Sequence, residues 1–248
     1  LLGWTGWRGI LIFLGGLSAL LLLASWRWLP ETLPPARRHS LHPLKLARAY
    51  AAVFVDARFI AITLTNAAVS AAIYVYIFSA PVFITRHLGL GAQSFGWLFI
   101  PIVVGMVFGS AIAHRIAGHM TSWRCVELGQ AVMALAGIIN IGINATALPA
   151  FPWALLPLPV FALGMMLTQP GLQMLALDCV PNRQGLASSC YISVQQVANT
   201  LTSAFLVPSL ASSTLHMALG MAGLQAAGAL IFGLAMRAKN AESPQYPL

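Results

Sequence analysis

The chain has 248 residues, of which 59% are hydrophobic and 7% charged; 13 Lys and Arg oppose 5 Asp and Glu, for a net charge of +8. Soluble domains carry about a quarter charged residues, so this composition excludes a globular surface covered by water. The bases lie in short gaps between apolar runs rather than on one soluble face, which excludes a nucleic-acid-binding domain and fits contact with an anionic membrane leaflet.

The opening "LLGWTGWRGI" has neither Met nor a signal-peptide n-region and reads as the inside of a larger protein. A bilayer core takes about 20 predominantly apolar residues per helix. Seven runs meet that length: Ile10–Trp28, Phe59–Ile84, Phe95–Ile116, Cys125–Leu148, Trp153–Leu177, Leu186–Val207 and Thr214–Met236. Trp7, Trp26, Trp28, Trp97, Trp123 and Trp153 fall at or near their ends, where an amphipathic ring favours the interface.

The first run ends in "WRWLPETLPPARRHSLHPLK". Pro30 and the Pro34-Pro35 pair stop a helix as it leaves the membrane. Arg37, Arg38, Lys45 and Arg48 then hold a connector against the leaflet, with "HPLKLARAYAAVF" as a short amphipathic helix. Alternating the seven spans puts eleven of the 13 bases on one side, leaving Arg8 and Arg86 on the other. The positive-inside rule makes the basic side cytoplasmic, so the first span runs inward and the C-terminus lies inside.

Several segments carry a family resemblance. "GWRGILIFLGGLSALLLLASWRWLPETL" resembles the sixth helix of major facilitator superfamily drug exporters, and "LPETLPPARR" the start of their central cytoplasmic loop. "DARFIAITLTNAAVSAAIYVYIFSAPVFI" and "SFGWLFIPIVVGMVFGSAIAHRIAGHM" resemble the seventh and eighth helices of the Bcr/CflA branch, and "NRQGLASSCYISVQQVANT" the opening of its eleventh. The resemblance implies an all-α membrane protein with a partial major facilitator fold of seven transmembrane helices. It divides the chain into the last helix of an N-terminal bundle (1–28), a cytoplasmic linker (29–58), a six-helix C-terminal bundle (59–237) and a cytoplasmic tail (238–248). It also implies a bacterial inner-membrane exporter of small amphipathic drugs. That exporter would work by alternating access and proton antiport, with the first five helices, and the coupling acid among them, missing from this chain. Where the superfamily favours Gly-x-x-x-Asp-Arg-x-Gly-Arg, "GSAIAHRIAGHM" has His114, Arg115 and a shifted Gly118 as its version of the cytoplasmic gating loop.

Polar side chains inside spans are costly unless they face a bundle interior or a wet cavity. Three stripes at helical spacing stand out: Asn66, Ser70 and Tyr74; Met166, Gln169 and Gln173, with Pro170 interrupting the backbone ladder; and Tyr191, Gln195, Asn199 and Thr202. By resemblance they lie on helices seven, ten and eleven, which line the central cavity and would contact substrate. The competing reading is hydrogen bonding to neighbouring helices. Adjacent positions point about 100° apart, so whether Gln195 or Gln196 faces the cavity stays open. Asn140 and Asn144 share a face on the peripheral ninth helix and are set aside. Gly105, Gly109 and Ala113 form a small-residue ladder for close helix packing.

Enzymatic chemistry has no foothold in the pattern. Six histidines and three cysteines show no zinc-type spacing, and there is no P-loop and no Gly-x-Ser-x-Gly elbow. None of the five acids (Glu31, Asp56, Glu127, Asp178, Glu242) sits at mid-span, so no proton relay is visible in this half. The expectation is a transporter without a cofactor, driven by the proton gradient. Its partners would be membrane lipid, a drug-like substrate and the other half of the same transporter, with no nucleic acid. Two alternatives are a metabolite transporter for a sugar, amino acid or peptide, and a non-transporting fragment or scaffold.

Overall fold

The computed structural model describes residues 2–28, 48, 50–146 and 152–242, and its named elements are all helical. Two units are distinguished, Leu1–Leu46 and Ala47–Leu248. The first contains α1 (Leu2–Trp28), 27 residues that rise about 40 Å. Its side chains from Leu11 to Leu22 are exposed all round, the pattern of a helix whose surroundings are lipid or other helices. Connector residues 29–47, with the prolines and most of the bases assigned to the membrane surface, lie outside the described residues. The chain resumes in helical conformation at Arg48 and Tyr50–Val53, and Val53 is buried.

The second unit holds α2 (Ala57–Phe78), α3 (Gly96–Ile116), α4 (Ser122–Thr146), α5 (Pro157–Cys179), α6 (Gln184–Leu201) and α7 (Thr214–Glu242). Asp56 caps α2: its Oδ1 accepts from the backbone N–H of Arg58 at 2.8 Å and of Phe59 at 3.1 Å. The Arg58 guanidinium lies over the Trp123 ring, 5.2 Å from its centroid, and Trp123 packs against Phe232 with ring centroids 5.0 Å apart and planes tilted by 40°. The start of α2 is thereby tied to α4 and α7.

Among the described residues six helices, α1 to α5 and α7, are long and apolar enough to cross a membrane. The seventh expected span departs from the rest. Its helix, α6, is diluted by Gln184, Gln195, Gln196 and Asn199, because much of its surface meets protein or an open groove. The helical path nevertheless continues through a π turn at Thr202–Leu206 and a last turn at Val207–Leu210. A second π turn, Phe83–His87, follows Pro81 beyond the end of α2.

Packing centres on α5, which runs against α3, α4 and α2, while α7 covers α2 and α4. Lipid tails are as apolar as leucine, so close van der Waals contact must hold such helices together. Glycines make that contact possible. A Cβ at Gly105 would collide with the Pro159 carbonyl, and one at Gly109 would lie 2.8 Å from the Met166 Cβ. On the other side of α5, Gly129 meets Gly164 and Thr168, and a Cβ at Gly171 would lie 2.8 Å from the Ser122 carbonyl oxygen. Ala113, the third member of the predicted ladder, is half-buried one turn further along α3.

Two apolar clusters fill the interior. One, with Phe59, Ile62, Val126, Leu172 and Phe232, lies where α2 and α4 begin. The other, with Tyr76, Phe83, Leu98, Met133, Phe161 and Met217, lies toward the opposite end. Two pairs of buried polar groups are bonded across helices here: Asn140 Nδ2 donates to the Tyr76 hydroxyl at 2.9 Å, and Gln225 Nε2 to Gln130 Oε1 at 3.0 Å. Gly118 turns the α3–α4 connection at φ 87°, a region that favours glycine. His114 and Arg115 are exposed in the last turn of α3 beside it.

Overpacking a core costs about 1–3 kcal/mol, and a backbone carbonyl cannot move aside as a side chain can. Gly105→Leu and Gly129→Leu are therefore expected to lower stability by at least about 2 kcal/mol in detergent unfolding. Gly223→Leu, where an added Cβ meets no atom within 4 Å, should leave it near the starting value.

Candidate functional site

Steps of four residues place Asn66, Ser70 and Tyr74 on one face of α2, and that face meets α6. The pairing rises in number on both helices together, so α2 and α6 run parallel. Asn66 Nδ2 donates to Gln195 Oε1 at 3.1 Å, and Gln195 Nε2 donates to Ser70 Oγ at 2.9 Å. Asn66 and Ser70 are fully buried. One glutamine amide thus bridges two groups a turn apart, which fixes the register of the helix pair. For these three residues the observed partners are neighbouring helices.

One turn further the seam opens. Tyr74 and Phe78 of α2 face Gln196, Asn199, Thr200 and Ser203 across a groove of about 520 Å³. The two rings lie 4.9 Å apart at 40°. Asn199 Nδ2 donates to Gln196 Oε1 at 3.4 Å, and the Thr200 hydroxyl is engaged within its own helix by the Gln196 carbonyl at 2.8 Å. Gln196 and Ser203 are exposed. Four side-chain oxygens on this helix pair, Thr63 Oγ1, Asn66 Oδ1, Asn199 Oδ1 and the Tyr191 hydroxyl, are buried without a hydrogen-bond partner. The groove therefore combines an aromatic wall with neutral donors and acceptors.

The sequence stripes divide accordingly. Tyr74 and Asn199 line the groove; Asn66, Ser70 and Gln195 sit in the closed seam; Tyr191 is buried in the apolar cluster nearer the start of α6. Met166 is half-buried against the core and Gln169 is half-buried on α5. Gln173 is exposed on the same helix, and these three α5 residues line no part of the groove. Pro170 removes one N–H from the α5 ladder, the one that would bond the Met166 carbonyl. The choice between neighbouring glutamines resolves as Gln195 to the seam and Gln196 to the groove. Phe78, Thr200 and Ser203 were not singled out; the run Gln196, Thr200, Ser203 at spacings of four and three was the available signal.

Residues 1–203 match the Major Facilitator Superfamily. The chain belongs to that superfamily. The multidrug transporter MdfA of Edwardsiella ictaluri (strain 93-146) is 27% identical over 195 residues, covering 79% of this chain and 47% of the relative. MdfA of Escherichia coli O6:H1 is 24% identical over 197 residues, and MdfA of Yersinia pestis bv. Antiqua (strain Angola) 23% over 195, with the same coverage. The chain spans about half the length of these curated relatives. The superfamily is one of multi-pass membrane transporters rather than enzymes, and six helices of suitable length and apolarity fit a part of its fold.

The closed seam and the open groove differ in access to water-soluble reagents. In a background with Cys125, Cys179 and Cys190 replaced by Ser or Ala, Gln196→Cys and Ser203→Cys should react with a membrane-impermeant maleimide. Asn66→Cys and Ser70→Cys should resist it unless the protein is denatured. Equal labelling at all four positions would show that the seam is open.

Proposed function

We propose that this chain is the C-terminal portion of a Bcr/CflA-type multidrug exporter, contributing one wall of a substrate cavity. The observation that carries the reading is the groove between α2 and α6, where the Tyr74 and Phe78 rings stand beside the neutral groups of Gln196, Asn199 and Ser203. Aromatic faces accept apolar and cationic groups, and amides and hydroxyls accept or donate with little demand on shape. A surface of this kind suits small amphipathic compounds of varied structure. The multidrug transporter relatives support the same substrate class.

Transport proceeds by two bundles exposing a midplane site alternately to each side, the opposing wall coming from the other half of the transporter. Proton antiport supplies the drive without a cofactor, and its titrating group lies in that other half. In support, the described acids sit at helix ends: Asp56 as a cap, Glu127 in the second turn of α4 and Asp178 in the last turn of α5. The charge asymmetry supports an inner-membrane orientation with the C-terminus in the cytoplasm.

The test is export in a bacterium stripped of its own drug exporters, using the gene with the reading frame upstream of Leu1. Tolerance to amphipathic drugs should rise. Gln196→Ala and Asn199→Ala should each weaken a polar substrate by about threefold to tenfold, the worth of one hydrogen bond. Unchanged tolerance across a broad drug panel would sink the assignment. Orientation is tested by reporter fusions. Alkaline phosphatase should be active when fused at Gly89 and inactive at Gly118.

A further inference from the structure

We propose that a groove between α4 and α7 is a binding site for a phospholipid with an ethanolamine headgroup. The two helices are antiparallel: Gln130 pairs with Gln225, while Glu127, nearer the start of α4, shares the groove with Arg237 near the end of α7. The groove has a volume of about 410 Å³ and is bordered by Glu127, Gln130, Phe232, Gly233, Met236 and Arg237. That is within the range of about 300–1,000 Å³ for small-ligand sites. It lies apart from the groove between α2 and α6, with which it shares no lining residue. The flanking apolar side chains point outward, with Leu230 68% and Leu234 65% exposed on α7 and Leu128 and Leu135 exposed on α4. In a membrane-spanning helix pair such a face meets acyl chains.

The polar groups are those a zwitterionic headgroup requires. Arg237 offers a guanidinium, which donates to phosphate oxygens in a fixed fork. Glu127 offers a carboxylate that accepts from an ammonium. Gln130 is 7% exposed, and its Oε1 is held by Gln225 while its Nε2 has no acceptor. A buried amide N–H left without a partner is costly, and a turn of the Gln130 side chain toward the groove would let an ester carbonyl or phosphate oxygen of a seated lipid satisfy it. Met236 beside Arg237, and the edge of the largely buried Phe232 one turn further in, give the groove its apolar border. At Gly233 an added Cβ meets no atom within 4 Å, so the glycine leaves the channel open rather than serving helix contact.

This arrangement discriminates among headgroups. Ethanolamine presents N–H donors to Glu127, choline has none, and the uncharged glycerol headgroup leaves the net negative lipid facing a carboxylate. The order expected is ethanolamine, then choline, then glycerol.

The experiment is native mass spectrometry of the whole protein in mild detergent, mixed with equal amounts of dioleoyl phosphatidylethanolamine, phosphatidylcholine and phosphatidylglycerol. Phosphatidylethanolamine adducts should dominate. Gly233→Leu, which fills the channel without displacing the fold, should reduce them by about fivefold with melting unchanged, while Gly233→Ala retains most binding. Glu127→Gln should erase the preference for ethanolamine over glycerol, and Arg237→Gln should weaken all three lipids by about fivefold, a charge-assisted hydrogen bond discounted for exposure. Equal retention in Gly233→Leu and the unaltered protein would overturn the site. Equal binding of the three lipids to the unaltered protein would overturn its headgroup assignment.

Discussion

The second unit depends on how closely α5 approaches its neighbours. In hydrocarbon the apolar surfaces of two helices gain little by leaving lipid, so association rests on contact area and on hydrogen bonds. Glycine at positions 105 and 109 on α3, 129 on α4, and 164 and 171 on α5 lets backbone touch backbone on two sides of one helix. Once α5 is fixed between α3 and α4, Gln130 can reach Gln225 on α7, and Asn140 can reach Tyr76 on α2. The bridging polar bonds are therefore consequences of the spacing as much as supports for it.

The α2–α6 pair uses one set of residue types for two ends. Neutral amides and hydroxyls close the seam where they find each other, at Asn66, Gln195 and Ser70, and leave a groove where large rings hold the helices apart, at Tyr74 and Phe78. A buried acceptor without a donor costs about 1–3 kcal/mol. Asn66 Oδ1 and Asn199 Oδ1 are both in that condition, which suits a helix pair bordering a wet cavity better than one sealed in a core. The π turns beyond the groove, with His87 Nε2 2.9 Å from the Ala211 carbonyl oxygen, lock the far ends of the two helices together.

Most of the fold was legible because a bilayer imposes length and apolarity on every crossing. Six of the expected spans have those properties, and the end of α3 at Ile116 and the start of α7 at Thr214 fall where the sequence placed them. The seventh, Leu186–Val207, rests on the same apolar length with support from the alternation of charge, and its helix, α6, falls short of the others in apolarity because its composition is diluted by its polar face. Gly105 and Gly109 announced themselves by spacing; Gly129 did not, because it is a lone glycine whose partner, Gly164, is distant in sequence. The site was legible only as a set of faces. Spacing identified the polar side of α2 and of α6 but could not say where along that side the neighbours touch. Gln195 and Gln196 are the clearest case, since identical side chains on adjacent positions have opposite fates and only the position of α2 decides between them. The π turns left no pattern in the sequence from which to read them.

Placing the formal charges at helix ends has an electrical consequence. Across the described spans of the second unit, the interior stretches carry amides, hydroxyls and rings, while Arg58, Arg115, Arg124, Asp178 and Arg237 stand near their boundaries. Carrying one elementary charge through a potential of 100 mV involves about 2.3 kcal/mol. A bundle built this way moves almost no charge of its own through the membrane field when it tilts. Motion of such a bundle is thus nearly blind to voltage, and any voltage dependence of a movement that involves it has to enter through charges outside these spans.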